Sequence, residues 1–219
     1  MISVVIPTAN CERLLPRCFD SLIPAAVRGV VREVIVSDAG STDATLAIAD
    51  GAGAHIVHAR KGRGQQLAEG AGLAKSDWLL FLHPETALEP GWEVEAESFI
   101  DQAQMERPRA AVFRFALEDF SGEARRAEAM SALRTGLFAL PYGDQGLLIP
   151  KRLYQKIGGY RALADMEDAD LVRRIGRRRL VSLRARAVNV ARPPRSALKG
   201  LALILLHALR VPSGVLARL

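Results

Sequence analysis

Cysteine is nearly absent from this 219-residue chain: Cys11 and Cys18 are the only two, seven positions apart on what the pattern reads as the first helix. No histidine stands at zinc spacing from them, so they read as reduced thiols, and neither a disulfide scaffold nor a cysteine metal centre is expected. Aromatic residues make up only 5%. The arginines therefore lack a base-stacking platform, and nucleic acid is not an expected partner. No Gly-rich triphosphate loop follows the first strand, which counts against nucleotidyl transfer. The N-terminus begins directly on a strand, without the basic leader and small-residue cleavage site of a signal peptide, so a cytoplasmic location is expected. No run spans a bilayer either: 197 to 209 is a nearly continuous apolar helix candidate of 13 residues, against the roughly 20 a membrane crossing requires.

What is present is an ordinary globular composition, 49% apolar and 25% charged, at a length that suits one sizeable core. Net charge is +6, unevenly placed: 12 Lys and Arg and no acid lie from Arg173 onward, so residues 1–172 carry −6. A basic tail of this kind suits anionic headgroups, phosphorylated acceptors or nucleic acid, and its sign alone does not choose. Pro193-Pro194 marks the one clear boundary, giving a domain over 1–192 and a helical extension over 193–219. That extension either packs on the domain or lies on a membrane surface with Arg195, Lys199, Arg210 and Arg218 near headgroups.

The organising stretch is Val34 to Thr45. A β-branched strand, Glu33 to Val36, runs into a small, acidic turn, and Ser41, Thr42 and Asp43 can cap a helix from about Ala44 to Asp50. An earlier unit of the same kind has strand Ile2 to Ile6, turn Pro7 to Asn10, and an amphipathic helix through about Ile23. Ile56 to His58 makes a third strand, Gln65 to Lys75 a helix, and Trp78 to Leu82 an apolar strand that must be central. Alternating β-α units imply parallel strands. The turn at Pro7 to Asn10, Asp38, and His83 to Thr86 would then share one sheet edge, where open α/β sheets bind ligands. A carboxylate at Asp38 can accept from a base imide or ribose hydroxyls, with Ala39 and Gly40 leaving room for a ring; an ordinary β-α turn accounts for the same residues. The glycines and cations of Arg60 to Gly64 suit a phosphate or a solvated loop. Farther on the spacing predicts helix Trp92 to Met105, a strand from Ala110 to Leu117 in an edge or antiparallel position, helix 123–139, and a polar loop before Leu147 to Ile149. Glu167 and Asp168 fall in the first turn of a helix whose arginines fall in its last, which complements the helix dipole.

In order and spacing these segments resemble the inverting glycosyltransferases of family 2: Val4 to Thr8, Asp38 to Asp43, Leu80 to Thr86, Gly158 to Tyr160 and Met166 to Asp168. Gly62 to Gln66 and Pro141 to Gly146 further resemble a small bacterial subgroup, radical-SAM/selenodomain-associated transferase 2. The resemblance implies an α/β fold: a single GT-A domain, with a mixed, mostly parallel sheet flanked by helices, followed by the C-terminal apolar and basic helix. It also implies sugar transfer from a nucleoside-diphosphate sugar of UDP or GDP type to an acceptor hydroxyl. The alternative is a nucleotide-sugar-binding scaffold with little or no turnover. By position, Pro7, Thr8, Ala9, Asn10, Asp38, Ala39, Gly40 and Arg63 would hold the nucleotide. Asp168, paired with Glu167, would be the general base. Tyr142, Asp144 and Gln145 would meet the acceptor or donor sugar. The family's Asp-X-Asp, which holds Mg²⁺ or Mn²⁺ on the diphosphate, is replaced by His83-Pro84-Glu85. Glu85 is thus the carboxylate available to a metal, with His83 able to assist with Mn²⁺. The basic, apolar C-terminus suggests a lipid-linked acceptor and a peripheral place at the inner membrane face.

Overall fold

The structure is a computed structural model that describes residues 1–105, 108–119, 121–138, 143–163 and 166–190. Tyr142, the boundary at Pro193-Pro194 and the C-terminal segment with its membrane and lipid-acceptor expectations lie outside the described residues. Among the described residues no helix is long and apolar enough to cross a membrane.

The apolar, β-branched N-terminal run forms β1 (Ile2–Thr8), buried along its whole length. Two short helices follow, α1 (Leu15–Asp20) and α2 (Ile23–Val27), where the sequence pattern predicts one helix. Prolines explain the break: Pro16 and Pro24 each sit in the first turn of their own helix, where a missing N–H costs nothing, and Pro24 would interrupt a continuous one. Cys11 consequently lies before α1, in the turn after β1, and not on the helix with Cys18. Next come β2 (Val31–Asp38), α3 (Thr45–Gly51), β3 (His55–His58), α4 (Arg63–Leu73) and β4 (Trp78–Phe81). The Gly62–Gly64 stretch is therefore the start of a helix rather than a loop.

β5 (Thr86–Leu88) leads into α5 (Trp92–Met105), β6 (Ala110–Leu117) and α6 (Gly122–Phe138). A 3-10 turn at Gly143–Gln145 precedes β7 (Leu147–Pro150), α7 (Lys151–Lys156), α8 (Glu167–Ile175), a second 3-10 turn at Arg177–Arg179, and β8 (Leu180–Asn189). The last strand corrects the reading of residues after Arg173 as a tail. Ser182, Arg184 and Arg186 face solvent while Leu183 and Ala187 are buried, the period-two pattern of a half-buried strand.

The eight strands form one mixed sheet in the order β3-β2-β1-β4-β7-β6-β8-β5. β3, β2, β1 and β4 are parallel, β7 is antiparallel to β4 and to β6, and β8 runs parallel to β6. β6 is thus antiparallel to one neighbour, as expected, but internal rather than at an edge. Core residues divide by face along β4: Trp78 and Leu80 join one apolar cluster, Leu79 and Phe81 the other. A sheet covered on both faces reads as a continuous apolar run, which is why Trp78 to Leu82 stood out. The carboxyl ends of β1, β2 and β4 meet at one edge, and the antiparallel β7 begins there, pairing Leu147 with Phe81.

Candidate active site

Thr8 and Asp38 end β1 and β2 in register. The Asp38 carboxylate is fully buried and accepts from Thr8 Oγ1 at 2.8 Å, Gly40 N–H at 2.8 Å, Ser41 N–H at 2.7 Å and Ser41 Oγ. Burial alone would push its pKa up; the bonds from Ser41, Thr8 and Gly40 together outweigh it and hold the group below the usual aspartate value. Gly40 stands at φ +90°, a conformation that glycine adopts without strain, which lets its N–H point back at the carboxylate. The two turns are also laced together, since Asn10 N–H donates to Ser41 Oγ at 2.8 Å and Thr42 N–H to Asn10 Oδ1 at 2.8 Å. Beneath them the buried Gln66 amide donates to the Thr8 and Ser37 carbonyls, both at 2.7 Å. Pro7, Thr8 and Asp38 are thus interior struts, while Ala9, Asn10 and Gly40 are exposed and Ala39 half-buried. Gln66 carries a bracing role that sequence spacing did not assign; the sequence marked it only as the end of the Gly62 to Gln66 pattern.

Beside this crevice, residues from four segments converge. His83 and Glu85 follow β4, Arg63 opens α4, Glu167 and Asp168 open α8, and Tyr160 precedes α8. His83 and Glu85 are 5% and 7% exposed. His83 Nδ1 lies 3.8 Å from Glu85 Oε1, and its Nε2 lies 3.9 Å from Asp168 Oδ2 with no hydrogen-bond partner. Burial lowers the pKa of this imidazole, against the pull of Asp168, so the neutral form is favoured. Tyr160 donates its hydroxyl to Asp168 Oδ1 at 2.8 Å. The phenol is itself set by packing: its ring meets Phe81 edge-on at 4.9 Å, and its N–H donates to Tyr154 Oη at 2.9 Å. Gly159 permits this, because a Cβ there would sit 2.9 Å from the Tyr154 ring.

The adjacent acids are not equivalent. Glu167 is buried, 3.5 Å from Arg63 Nη1, and its pKa is raised by burial and by Asp168. Asp168 keeps 14% of its side chain exposed. The nearby Asp170 is a structural partner, held by Arg174 at 2.6 Å. Gly64 lets α4 approach this corner, since a Cβ there would lie 2.2 Å from the Arg161 carbonyl oxygen and 3.2 Å from Glu167 Cβ.

Of the residues expected to meet the transferred sugar or acceptor, Asp144 sits in the 3-10 turn close enough to His83 to act on its charge. Gln145 is buried and committed internally, donating to the Phe113 carbonyl at 3.0 Å and accepting from Thr135 Oγ1 at 3.1 Å. Asn189, at the end of β8, braces this turn by donating to the Asp144 carbonyl at 2.8 Å and accepting from Thr86 Oγ1 at 2.6 Å. It was invisible while the strand carrying it was read as a tail.

For a divalent cation, the suitable donors are the Glu85 carboxylate and the imidazole beside it, buried and neutral. Glu85 and Asp168 flank opposite nitrogens of His83, and among the described residues no three His, Cys, Asp or Glu side chains converge as a metal-holding group. Glu85 and the Nδ1 side of His83 are the donors that could hold such an ion, whose remaining ligands a bound diphosphate would have to supply.

Comparison with known proteins bears on the family and the fold. A PGL/p-HBAD biosynthesis glycosyltransferase of Mycobacterium bovis is 35% identical over 95 residues, 40% of this chain and 36% of that protein. Glucosyl-3-phosphoglycerate synthase of Mycobacterium tuberculosis is 36% identical over 90 residues, 37% of this chain and 28% of the synthase. The matched stretch thus spans about a third of these curated relatives. A crystal structure of that synthase with Mn²⁺, UDP and glucosyl-3-phosphoglycerate superposes with a TM-score of 0.61 at 22% identity, covering 97% of this chain and 81% of the other. S. aureus TarS 1-349 in complex with UDP-GlcNAc gives 0.66 at 16% identity, covering 94% and 66%. The fold is the GT-A-like α/β domain of these proteins. Residues 3–130, more than half of the chain, match the Glycosyl transferase family 2 sequence family, and the chain belongs to that family.

Proposed function

We propose that the protein transfers a sugar from a nucleoside-diphosphate sugar to an acceptor hydroxyl with inversion at the anomeric carbon, and that Asp168 is the general base. The observation that carries this is the contrast within the acidic pair: Glu167 is buried against Arg63, whereas Asp168 is oriented through one oxygen by Tyr160 and keeps the other toward the partly open corner beside His83. UDP is the favoured nucleotide, because the relatives of known structure bind UDP or a UDP-sugar. Ala9, Asn10, Gly40 and Arg63, with the half-buried Ala39, offer the accessible contacts for it, while Pro7, Thr8 and Asp38 shape the crevice from below. The motifs at Gly62 to Gln66 and Pro141 to Gly146 favour the radical-SAM/selenodomain-associated subgroup.

In this reading the acceptor O–H donates to Asp168 Oδ2. As its oxygen attacks the anomeric carbon, the proton passes to the carboxylate, and the anomeric C–O bond to the diphosphate breaks with its electron pair leaving on the nucleotide. General-base help of this kind contributes roughly 10²–10⁴-fold. Tyr160 keeps the carboxylate aimed, and Arg63 supplies positive charge toward the leaving group. A Mg²⁺ or Mn²⁺ ion held by Glu85 and His83 would neutralise diphosphate charge.

The test is calorimetric titration with UDP, GDP, CDP and dTDP, each with Mn²⁺ and with EDTA. Binding of one nucleotide, at least tenfold tighter with Mn²⁺, is expected. Failure of all four to bind would remove the nucleotide-sugar reading.

A further inference from the structure

The chemistry above uses His83 only through its Nδ1 side. The residue opens a turn, His83-Pro84-Glu85-Thr86, closed by the Thr86 N–H donating to the His83 carbonyl at 3.0 Å. Proline at the second position favours such a turn, because its fixed φ suits that site. The Cys18 thiol donates to the same carbonyl at 3.7 Å. With its backbone fastened in this way, His83 is 5% exposed, and its ring stands between two carboxylates, Nδ1 toward Glu85 and Nε2 toward Asp168.

Nε2 is buried and has no hydrogen-bond partner among the described residues. A polar atom left in that state is costly, and it calls for a catalytic role, a bound water or an ion. Asp168 Oδ2 lies 3.9 Å away, too far for a direct bond. The separation suits a shared third atom instead: an oxygen about 2.8 Å from both would subtend roughly 90° between them. Tyr160 already holds Oδ1 of Asp168 at 2.8 Å, so Oδ2 is the oxygen turned to the gap.

Counting donors and acceptors then assigns the bonds. An alcohol oxygen carries one O–H and two lone pairs. Its O–H goes to Asp168 Oδ2, since an ionised carboxylate only accepts. One lone pair takes an N–H from the imidazole, and the other stays free for the anomeric carbon. The ring therefore carries its proton on Nε2, which leaves the Nδ1 lone pair on the Glu85 side, where a cation would sit.

We propose that His83 is a second catalytic residue: its Nε2–H donates to the acceptor oxygen while that hydroxyl donates to Asp168 Oδ2, clamping the nucleophile between two fixed side chains. This rests on the transferase reading. In the transfer step the acceptor proton passes to Asp168, the new C–O bond forms as the bond to the diphosphate breaks, and the imidazole keeps its own proton throughout. His83 orients the oxygen and Asp168 deprotonates it.

Two amides separate this role from a purely cation-holding one, because an Asn amide falls near the Nδ1 position of the ring and a Gln amide near Nε2. The experiment uses the full chain with Mn²⁺, in excess over UDP-glucose or UDP-GlcNAc, and follows single-turnover release of the sugar to water, the simplest hydroxyl acceptor. His83→Asn should bind UDP with Mn²⁺ within about threefold of wild type yet release sugar at least tenfold more slowly, and His83→Gln should recover part of that rate. Nitrogen NMR of the His83 ring, with UDP and Mg²⁺ bound, should show the Nε2–H tautomer. An Nδ1–H tautomer, or a His83→Gln rate at or below that of His83→Asn, would overturn the proposal. If wild type binds UDP but turns over neither donor, the transferase reading is what fails, and the tautomer still decides whether His83 presents a donor toward Asp168.

Discussion

Replacing Asp38 separates two roles a carboxylate can have at the end of a strand. Its oxygens are occupied by two backbone N–H groups, from Gly40 and Ser41, and by the hydroxyls of Thr8 and Ser41. In Asp38→Ala all four donors lose their acceptor. Hydrogen bonds to a charged group contribute about 1.5–3 kcal/mol each and are not additive. Because the turn can admit water, a total loss of about 3–5 kcal/mol is the working magnitude. For a chain of this size each kcal/mol shifts Tm by about 2–4 °C, so thermal unfolding should drop by roughly 6–20 °C. Asp38→Asn is milder: its amide oxygen can take the two N–H groups, and its NH₂ can donate to the two hydroxyl oxygens, so the loss falls to about 1–2 kcal/mol with UDP affinity retained. The gap between wild type and Asp38→Asn also has a defined pH course. The folded pKa is depressed, so the carboxylate contributes its stability above the ordinary aspartate value of about 3.9 and loses it as pH falls through the folded value. Unfolding scans at several pH values together with UDP titration read both effects. An unchanged Tm with a tenfold or larger loss of UDP affinity in Asp38→Asn would refute the reasoning and make Asp38 a direct nucleotide ligand.

The glycines of α4 give the remaining predictions. Gly64→Ala places a methyl 2.2 Å from a backbone oxygen of Arg161, so it should cost about 1–3 kcal/mol as overpacking and lower turnover by displacing Arg63 and Glu167. Gly72→Ala, on the same helix with nothing within 4 Å of the new Cβ, should be neutral or gain up to about 1 kcal/mol from helix propensity. Denaturant midpoints measure both, and equal effects of the two substitutions would sink the close-approach argument.

The parallel half of the sheet was legible because each strand is a short apolar run closed by turn residues, and because strand and helix alternate from Ile2 to Phe81. The edge at which Thr8, Asp38 and His83 meet followed from that alternation. The function of individual groups at the edge did not follow. Asp38 as a brace depends on contacts with the Thr8 hydroxyl, 30 residues away, and with the Gly40 backbone; the motifs contain both residues but do not encode those contacts. The acidic pair was equally ambiguous in sequence; only the burial of Glu167 beside Arg63 and the contact of Tyr160 with Asp168 separate the two side chains. β8 was hidden by its charge. Seven arginines in eighteen residues dominate the composition, yet Leu183 and Ala187 carry the inward face, and Asn189 with its brace on the Gly143–Gln145 turn comes with them. The single first helix failed for a simpler reason, the proline at position 24.

The central claim is that Asp168 takes the acceptor proton in a protein that binds a nucleotide sugar. Asp168→Asn is nearly isosteric, and its amide oxygen can still accept from Tyr160, so the corner should keep its shape. The most direct measurement is single-turnover sugar transfer from the nucleotide-sugar donor, run beside a UDP titration of the same samples. The account predicts that the variant binds UDP within about twofold of wild type while transfer falls by roughly 10²–10⁴. Transfer at the wild-type rate, or equal loss of binding and transfer, would contradict it.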